Sequence, residues 1–329
     1  MSKIVTIKDI ADKTGYSRNT VSKVLNNQHV SNKTKKIIIE AAKKMDYKGF
    51  GYYNNEKRQE EKSLKILMLA GKPLYDLDFF ISFARGVENT KTEYNIELFQ
   101  YTYAKNSTFE QLSSHLSSLK IDGIIGIELY SHDLLVKLLE TEIPTTFIDA
   151  SNDLKYMKGN YDVLLMQSRD SVYKLCTKLI SKGYNKLTFC GDKDHCLGFN
   201  ERFLGMRDSL DDIEHRIDLN QQLLVPDDSP FGDVSWMLKK INALRYRPHV
   251  IVCANDSIAF NVINALKSLK IRVPEDIQVI GFDNTMDSTI SVPQITTIDV
   301  NKELLSKEAL LLLIDRINRK NAPSKTVYL

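Results

Sequence analysis

Between Thr6 and Asn26 the apolar residues fall three and four apart in two short runs separated by a glycine. Ile7, Ile10 and Ala11 share one face of a first helix, and Val21, Val24 and Leu25 share one face of a second. Thr6 is placed to cap the first, with Asp9 three residues on reaching back as in a capping box, and Gly15 ends it. Ser17 caps the second, which runs through Asn26 and keeps Arg18, Asn19, Ser22 and Lys23 on its other faces. A third helix starts at Ser31, has Thr34 in its first turn, turns Ile38, Ala41, Ala42 and Met45 inward and runs to about Asp46. Two capped helices joined by a glycine turn, the second polar and basic, are the layout of a helix-turn-helix, which makes double-stranded DNA the first partner to consider. The plainer alternative is a small bundle with a solvated basic face. The two caps, the turn glycine and the polar second helix argue jointly against it.

After residue 63 the pattern becomes short apolar runs alternating with amphipathic stretches. Strands are expected at Leu64–Ala70, Gly123–Ile127, Thr145–Ile148, Leu187–Cys190, Val250–Cys253 and Val279–Phe282. Helices are expected at Phe79–Thr92, Asp133–Glu140, Ser171–Lys182, Phe199–Leu210, Asp233–Leu244 and Ser257–Lys270. That alternation reads as an α/β fold of parallel, doubly wound sheets, whose ligands sit beyond the carboxyl ends of the strands. Asp149, the pair Asn255 and Asp256, and Asp283 each follow such an end, and Arg202 lies in a helix after the loop leaving Leu187–Cys190. Carboxylates and a guanidinium converging on a cleft suit the paired hydroxyls of a sugar. Each residue also has a plain structural use: Asn255 or Asp256 as a helix cap, Asp149 and Asp283 as turn formers, Arg202 in an ion pair.

Charge sharpens the division. The first 62 residues hold twelve Lys and two Arg against seven acidic residues, a net +7, which leaves −4 on the remainder of a chain whose total is +3. Positive charge is concentrated where the groove-reading helix lies, as release of phosphate counterions requires. A length of 329 residues suits a small domain plus a larger bilobed one. There is neither a signal peptide nor a run of about 18 apolar residues, so a cytoplasmic protein without a membrane partner is expected. Cys176, Cys190, Cys196 and Cys253 have no paired spacing, and His195 beside Cys196 lacks a second cluster at zinc spacing. No disulfide, metal or other cofactor is expected.

Three ordered stretches carry a family likeness. Thr6 to Tyr47, with its Ser17 to Asn26 helix, strongly resembles the headpiece of the LacI/GalR family of bacterial transcriptional repressors. Asn200 to Leu210 looks like that family's Arg-x-x-Gly helix. Cys253 to Ala259 and Val279 to Asp283, followed by Pro293 and Thr296-Thr297, resemble its effector-binding core. The resemblance implies a headpiece at 1–48, a linker at 49–63 and a bilobed, periplasmic-binding-protein-like core at 64–329. The first lobe would hold about 64–155 and 285–319, the second about 156–284 and 320–329. It implies base reading by Arg18, Asn19 and Lys23, with Thr6, Tyr16, Ser17, Thr20, Ser22, Asn26, His29, Ser31 and Thr34 completing the DNA contacts, mainly to phosphates. It also implies an effector held by Phe79, Asp149, Arg202, Asn255, Asp256 and Asp283.

The chain departs from the family in several places. Lys23 stands where Arg is more usual, which loses fork-like recognition. Leu77-Asp78 replaces Asn-Pro before the aromatic, and Gln167-Ser168 replaces Asp-Asn, so effector identity does not carry over. The linker has Gly49 and Gly51 and lacks the family's Pro, and Glu56 lies near the position of the Leu that wedges into the minor groove. Each glycine disfavours helix by about 1 kcal/mol relative to Ala. A linker flexible off DNA and a weaker bend are expected, with Phe50, Tyr52 or Tyr53 replacing the wedge.

One headpiece buries too little surface for tight binding, so a homodimer on a pseudo-palindromic operator is expected. The stripe Phe80, Phe83, Ala84 and Val87 faces either a twin subunit or its own core. The chain stops at Leu329 without a heptad tail, so a higher oligomer built through one is not expected, and the last strand of the lobe is expected to be short or missing. The effector, a sugar or sugar derivative, would shift operator affinity by favouring one closure state of the lobes. Three rival readings stand beside this one: a nucleobase-responsive regulator of the same family, a sugar-binding transport protein, and an enzyme. The transport protein would need an export signal, and the enzyme reading finds no glycine-rich dinucleotide or phosphate loop and no nucleophile elbow.

Overall fold

The computed structural model describes residues 5–25, 30–45, 47, 63–71, 78–91, 94–225, 229–319 and 322–329. The chain divides into two compact units, Met1–Ser63 and Leu64–Leu329. In the first, α1 (Ile7–Thr14), α2 (Arg18–Leu25) and α3 (Asn32–Lys44) close around Ile10, Ala11, Val21, Val24, Ile38, Ile39 and Ala42. Ala41 and Met45, expected inside, are half-buried, and Ile39 takes their place. The face that α1 and α2 cover on α3 is wider than a single stripe.

So small a core leaves the helix ends to do much of the ordering. Thr6 N donates to Asp9 Oδ2 at 2.8 Å and Thr6 Oγ1 accepts from Asp9 N at 3.4 Å, the reciprocal box read from the sequence. Gly15 ends α1 in the left-handed region at φ 74°, donating to Ala11 O. Ser17 Oγ accepts from Thr20 N at 3.0 Å and Ser31 Oγ from Thr34 N at 3.3 Å.

The second unit is built on two parallel sheets. The first carries β1 (Leu64–Ala70), β2 (Ile96–Thr102), β3 (Gly123–Ile127), β4 (Thr145–Ile148), β5 (Tyr161–Leu165) and β10 (Thr326–Tyr328), in the order β10-β5-β4-β3-β1-β2. The second carries β6 (Leu187–Cys190), β7 (Val250–Cys253), β8 (Gln278–Asp283) and β9 (Thr296–Asp299), in that order. Between the strands run α4 (Asp78–Lys91), α5 (Phe109–Leu119), α6 (His132–Glu140), α7 (Ser168–Ile180), α8 (Leu197–Asp211), α9 (Val234–Asn242), α10 (Asp256–Ser268), α11 (Met286–Ile290) and α12 (Lys302–Asn318). In β1 the continuous apolar run reflects burial on both faces. Ile66, Met68 and Ala70 join one core cluster, and Leu67 and Leu69 join the other.

Strand pairing corrects the lobe boundaries. β5 pairs in parallel with β4, and β10 with β5, so residues 161–165 and 326–328 belong to the first sheet, not the second. β9 pairs with β8 and belongs to the second. The cause is a buried ion pair. Arg316, near the end of α12, donates from Nε to Asp162 Oδ2 at 3.0 Å, from Nη2 to Asp162 Oδ1, and to the carbonyls of Ala322 and Pro323. Lys325 N also donates to Asp162 Oδ1 at 2.7 Å. One guanidinium therefore draws the final segment against β5, and the last strand is short but present.

A second correction concerns α4. Phe83 and Val87 are fully buried in the core of their own lobe and Ala84 packs against it, so this stripe is a core face; the Phe80 side chain lies outside the described residues. Among the described residues no helix is long and apolar enough to cross a membrane.

Candidate functional site

In the headpiece the burial of Val21 and Val24 fixes which way α2 faces. Arg18, Asn19 and Lys23 are exposed, and Tyr16, Thr20 and Ser22 are half-buried, the Tyr16 ring packing on the core edge. The capping hydroxyls lie at the helix starts: Ser17 Oγ and Thr20 Oγ1 are 2.8 Å apart, Ser31 Oγ and Thr34 Oγ1 2.9 Å, and Thr6 Oγ1 donates to Asp9 at 2.6 Å. Helix N-termini with hydroxyls beside them suit phosphate oxygens. Asn26, His29 and the linker positions Gly49, Phe50, Gly51, Tyr52, Tyr53 and Glu56 lie outside the described residues.

In the core, left-handed backbone marks the site. Among the described non-glycine residues Glu128 (φ 52°), Asp149 (φ 57°), Asp283 (φ 98°) and Asn284 (φ 50°) combine positive φ with a place at or just past the carboxyl end of β3, β4 or β8. Such conformations cost on the order of 1–3 kcal/mol each and collect at ligand clamps.

The side chains converge accordingly. Arg202, on α8, is 2% exposed; its guanidinium lies 3.7 Å over the Phe282 ring, donates to Ala254 O, and reaches Asp283 Oδ1 and Ser168 Oγ at 3.4 and 3.5 Å. Ser168 is thus the residue that meets Arg202 at the departure from the family pattern. Lys302 donates to the main-chain carbonyls of Asp283 and Asn284. Burial pushes the Asp283 carboxyl above its ordinary range, while Arg202 and Lys302 pull it back.

Asp149 faces this group from the other lobe. Its carboxylate accepts from Gly198 N, at the start of α8, at 3.0 and 3.3 Å, and Leu197 N donates to Ala150 O at 2.8 Å. A Cβ on Gly198 would lie 2.5 Å from Asp149 Oδ2, so only glycine admits the approach. Cys196 caps α8 beside Asp149, and burial raises its thiol far above the ordinary range.

Two expected residues also carry structural bonds. Asn255 Oδ1 caps α10 by accepting from Ile258 N at 2.9 Å. Asp256 is wholly buried and turned into its own lobe, accepting from Thr285 N at 2.8 Å and Thr285 Oγ1 at 3.3 Å; burial pushes its carboxyl up to about 6. The Phe79 side chain lies outside the described residues. The reading from sequence missed Tyr130, whose ring is 4.5 Å from His195 and T-shaped to it, and Glu201, held by Tyr328 at 3.0 Å. Tyr130 stands three residues past β3, so the strand-end rule applied to Asp149 could have found it.

Comparison with known proteins adds the family. The model for bacterial regulatory proteins of the lacI family matches residues 6–49, and that for the periplasmic binding protein-like domain matches residues 176–329. The chain belongs to the LacI family of bacterial regulatory proteins. Its sequence is 26% identical to the HTH-type transcriptional repressor PurR of Mannheimia succiniciproducens, over 98% of this chain and 95% of that one. Its fold matches that of the transcriptional regulator CelR in complex with cellobiose, with TM-score 0.71 at 21% identity over 99% and 97% of the two chains. It also matches the lac repressor dimer bound to operator and an anti-inducer, with TM-score 0.67 at 20% identity over 99% and 97%. This LacI-family chain is therefore a DNA-binding transcriptional regulator with an effector-binding domain, as the sequence motifs implied.

Proposed function

We propose that the protein is an operator-binding repressor, acting as a homodimer in the cytoplasm, whose hold on DNA is set by an unphosphorylated sugar or sugar derivative taken up beside Asp149, Arg202 and Asp283. The observation that carries this reading is the set of left-handed residues at three strand ends, with carboxylates from both lobes around one buried guanidinium. Asp149 and Asp283 offer acceptors to hydroxyls, Arg202 offers fixed donors, and the acidic surplus, with Glu201 nearby, disfavours a phosphate. Arg18, Asn19 and Lys23 read bases from α2, and the capped helix starts hold phosphates. Residues 49–63 serve as the linker and bend the operator weakly, which circular permutation gel shifts measure; a sharp central kink contradicts it. Met286, Ile290 and Val292, 60%, 57% and 77% exposed on and just after α11, replace the α4 stripe as the apolar surface offered to a twin subunit.

A thermal shift screen of sugars, sugar phosphates and nucleobases tests the effector reading, because a ligand of the native state raises the melting point. A neutral sugar raising it, with the rise lost in Asp283→Ala, supports the proposal. A rise with nucleobases or phosphates alone contradicts it, and turnover of a bound sugar would make the core an enzyme.

A further inference from the structure

Lys302 stands where helix electrostatics alone would not put it. It is the first residue of α12, where the positive end of the helix dipole repels a cation, and Asn301 Oδ1 already caps that helix by accepting from Leu304 N at 2.9 Å. Its ammonium is engaged elsewhere. Nζ donates to Asp283 O at 2.5 Å, to Asn284 O at 3.1 Å and to Val300 O at 3.5 Å, so three carbonyls meet the three protons of one ammonium. Two of these carbonyls belong to successive left-handed residues, at φ 98° and 50°, and the turn presents both to the same cation.

The two ends of this contact belong to different sheets. α12 packs on α4, β3, β4 and β5: Leu305, Ala309, Leu310 and Leu313 are buried, Gly86 on α4 leaves room for Ser306, and Arg316 is bound to Asp162. Asp283 ends β8 of the second sheet and carries the carboxylate that faces Arg202. β9 also holds the turn, because Asn284 N donates to Thr297 Oγ1 at 3.2 Å and Asn284 Nδ2 to Asp299 Oδ1 at 2.8 Å. The turn therefore keeps other anchors when Lys302 is replaced.

We propose that Lys302 is a positioning residue, a role that rests on the effector reading of the site: its ammonium holds the strained Asp283–Asn284 turn, sets the Asp283 carboxylate for the effector, and ties that strand end to a helix built into the first sheet. An effector that engages Asp283 therefore acts on α12 as well as on its own lobe. The charges around Asp283 are Arg202 on α8 and Lys302 on α12, which favour its ionised form, and Asp149 after β4 and Asp256 on α10, which oppose it.

Full-length Lys302→Met tests this first without any sugar, by urea unfolding of the core across pH. Burial raises the folded Asp283 carboxyl and Lys302 pulls it down, so removing the ammonium raises it further. The variant then gains more stability than the wild type as Asp283 takes up its proton, and the gap between their urea midpoints should shrink from about pH 8 to about pH 4. Lys302→Arg should keep the wild-type trend, and in an Asp283→Asn background the gap should no longer depend on pH. A gap constant across pH, the mark of lost packing alone, overturns the proposal. The second arm is calorimetry with D-glucose, D-galactose and D-ribose. Whichever binds the wild type should bind Lys302→Met about tenfold more weakly, and equal affinity overturns the proposal. If none binds the wild type, that result counts against the sugar reading, and the pH-dependent gap still decides the role of Lys302.

Discussion

Arg18, Asn19 and Lys23 project from a headpiece whose one left-handed residue, among those described, is the glycine at the turn, whereas the core sets Glu128, Asp149, Asp283 and Asn284 on left-handed backbone at three strand ends, where Asp283 meets a buried guanidinium. The headpiece meets a large, regular ligand from outside, and an exposed helix face suffices once Val21 and Val24 fix its rotation. The core must surround a small one, so its polar groups are buried, paired with each other and held in conformations that only the packed fold sustains. One region exposes its chemistry cheaply; the other encloses it at a cost in strain.

The sharpest way to break this contrast is at Arg316, because a removed buried guanidinium strands Asp162, whereas the described headpiece residues contain no buried ion pair. Arg316→Ala should lower core stability by about 3–5 kcal/mol, seen in denaturant unfolding, and leave the isolated headpiece transition where it was. A loss under about 1 kcal/mol would mean that the pair does not hold β10 in place. At the headpiece turn, nothing lies within 4 Å of a Cβ built on Gly15, so Gly15→Ala tests backbone conformation alone. It should cost roughly 1–2 kcal/mol.

Asp256 gives a smaller, pH-dependent effect confined to the core. Its folded carboxyl titrates at about 6, above its value in the unfolded chain, so the folded state takes up a proton that the unfolded state does not. This group's contribution to stability therefore rises as pH falls from about 6 to about 4. Asp256→Asn should remove that rise, and parallel curves of urea midpoint against pH for the two proteins would refute it. Smallest is the helix cap: Ser17→Ala should cost about 1 kcal/mol, in the headpiece transition only.

The same contrast explains what could be read from the chain. Strands buried on both faces, such as Leu64–Ala70 and Val250–Cys253, are continuous apolar runs and appear in the structure with the bounds expected of them. Tyr161–Leu165 escaped because Asp162 interrupts its run, and that carboxylate is acceptable in a core only through Arg316, 154 positions away. Ile96–Thr102 escaped because it lies at the sheet edge, half-exposed, with a mixed pattern. In the candidate site the strand-end rule brought Asp149, Arg202 and Asp283 together, but the inward turn of Asp256 depends on Thr285, which no spacing discloses.

The central claim is that operator reading and effector sensing reside in separate units joined by one equilibrium. It is tested most directly by measuring operator affinity, with and without the sugar that stabilises the wild type, in full-length Arg18→Ala and Asp283→Ala. The account predicts that Arg18→Ala loses the operator, by about 1–3 kcal/mol or more, and keeps the thermal shift with sugar. It predicts that Asp283→Ala keeps the operator and no longer responds to sugar. If either substitution abolished both activities in a natively folded protein, the division would be contradicted.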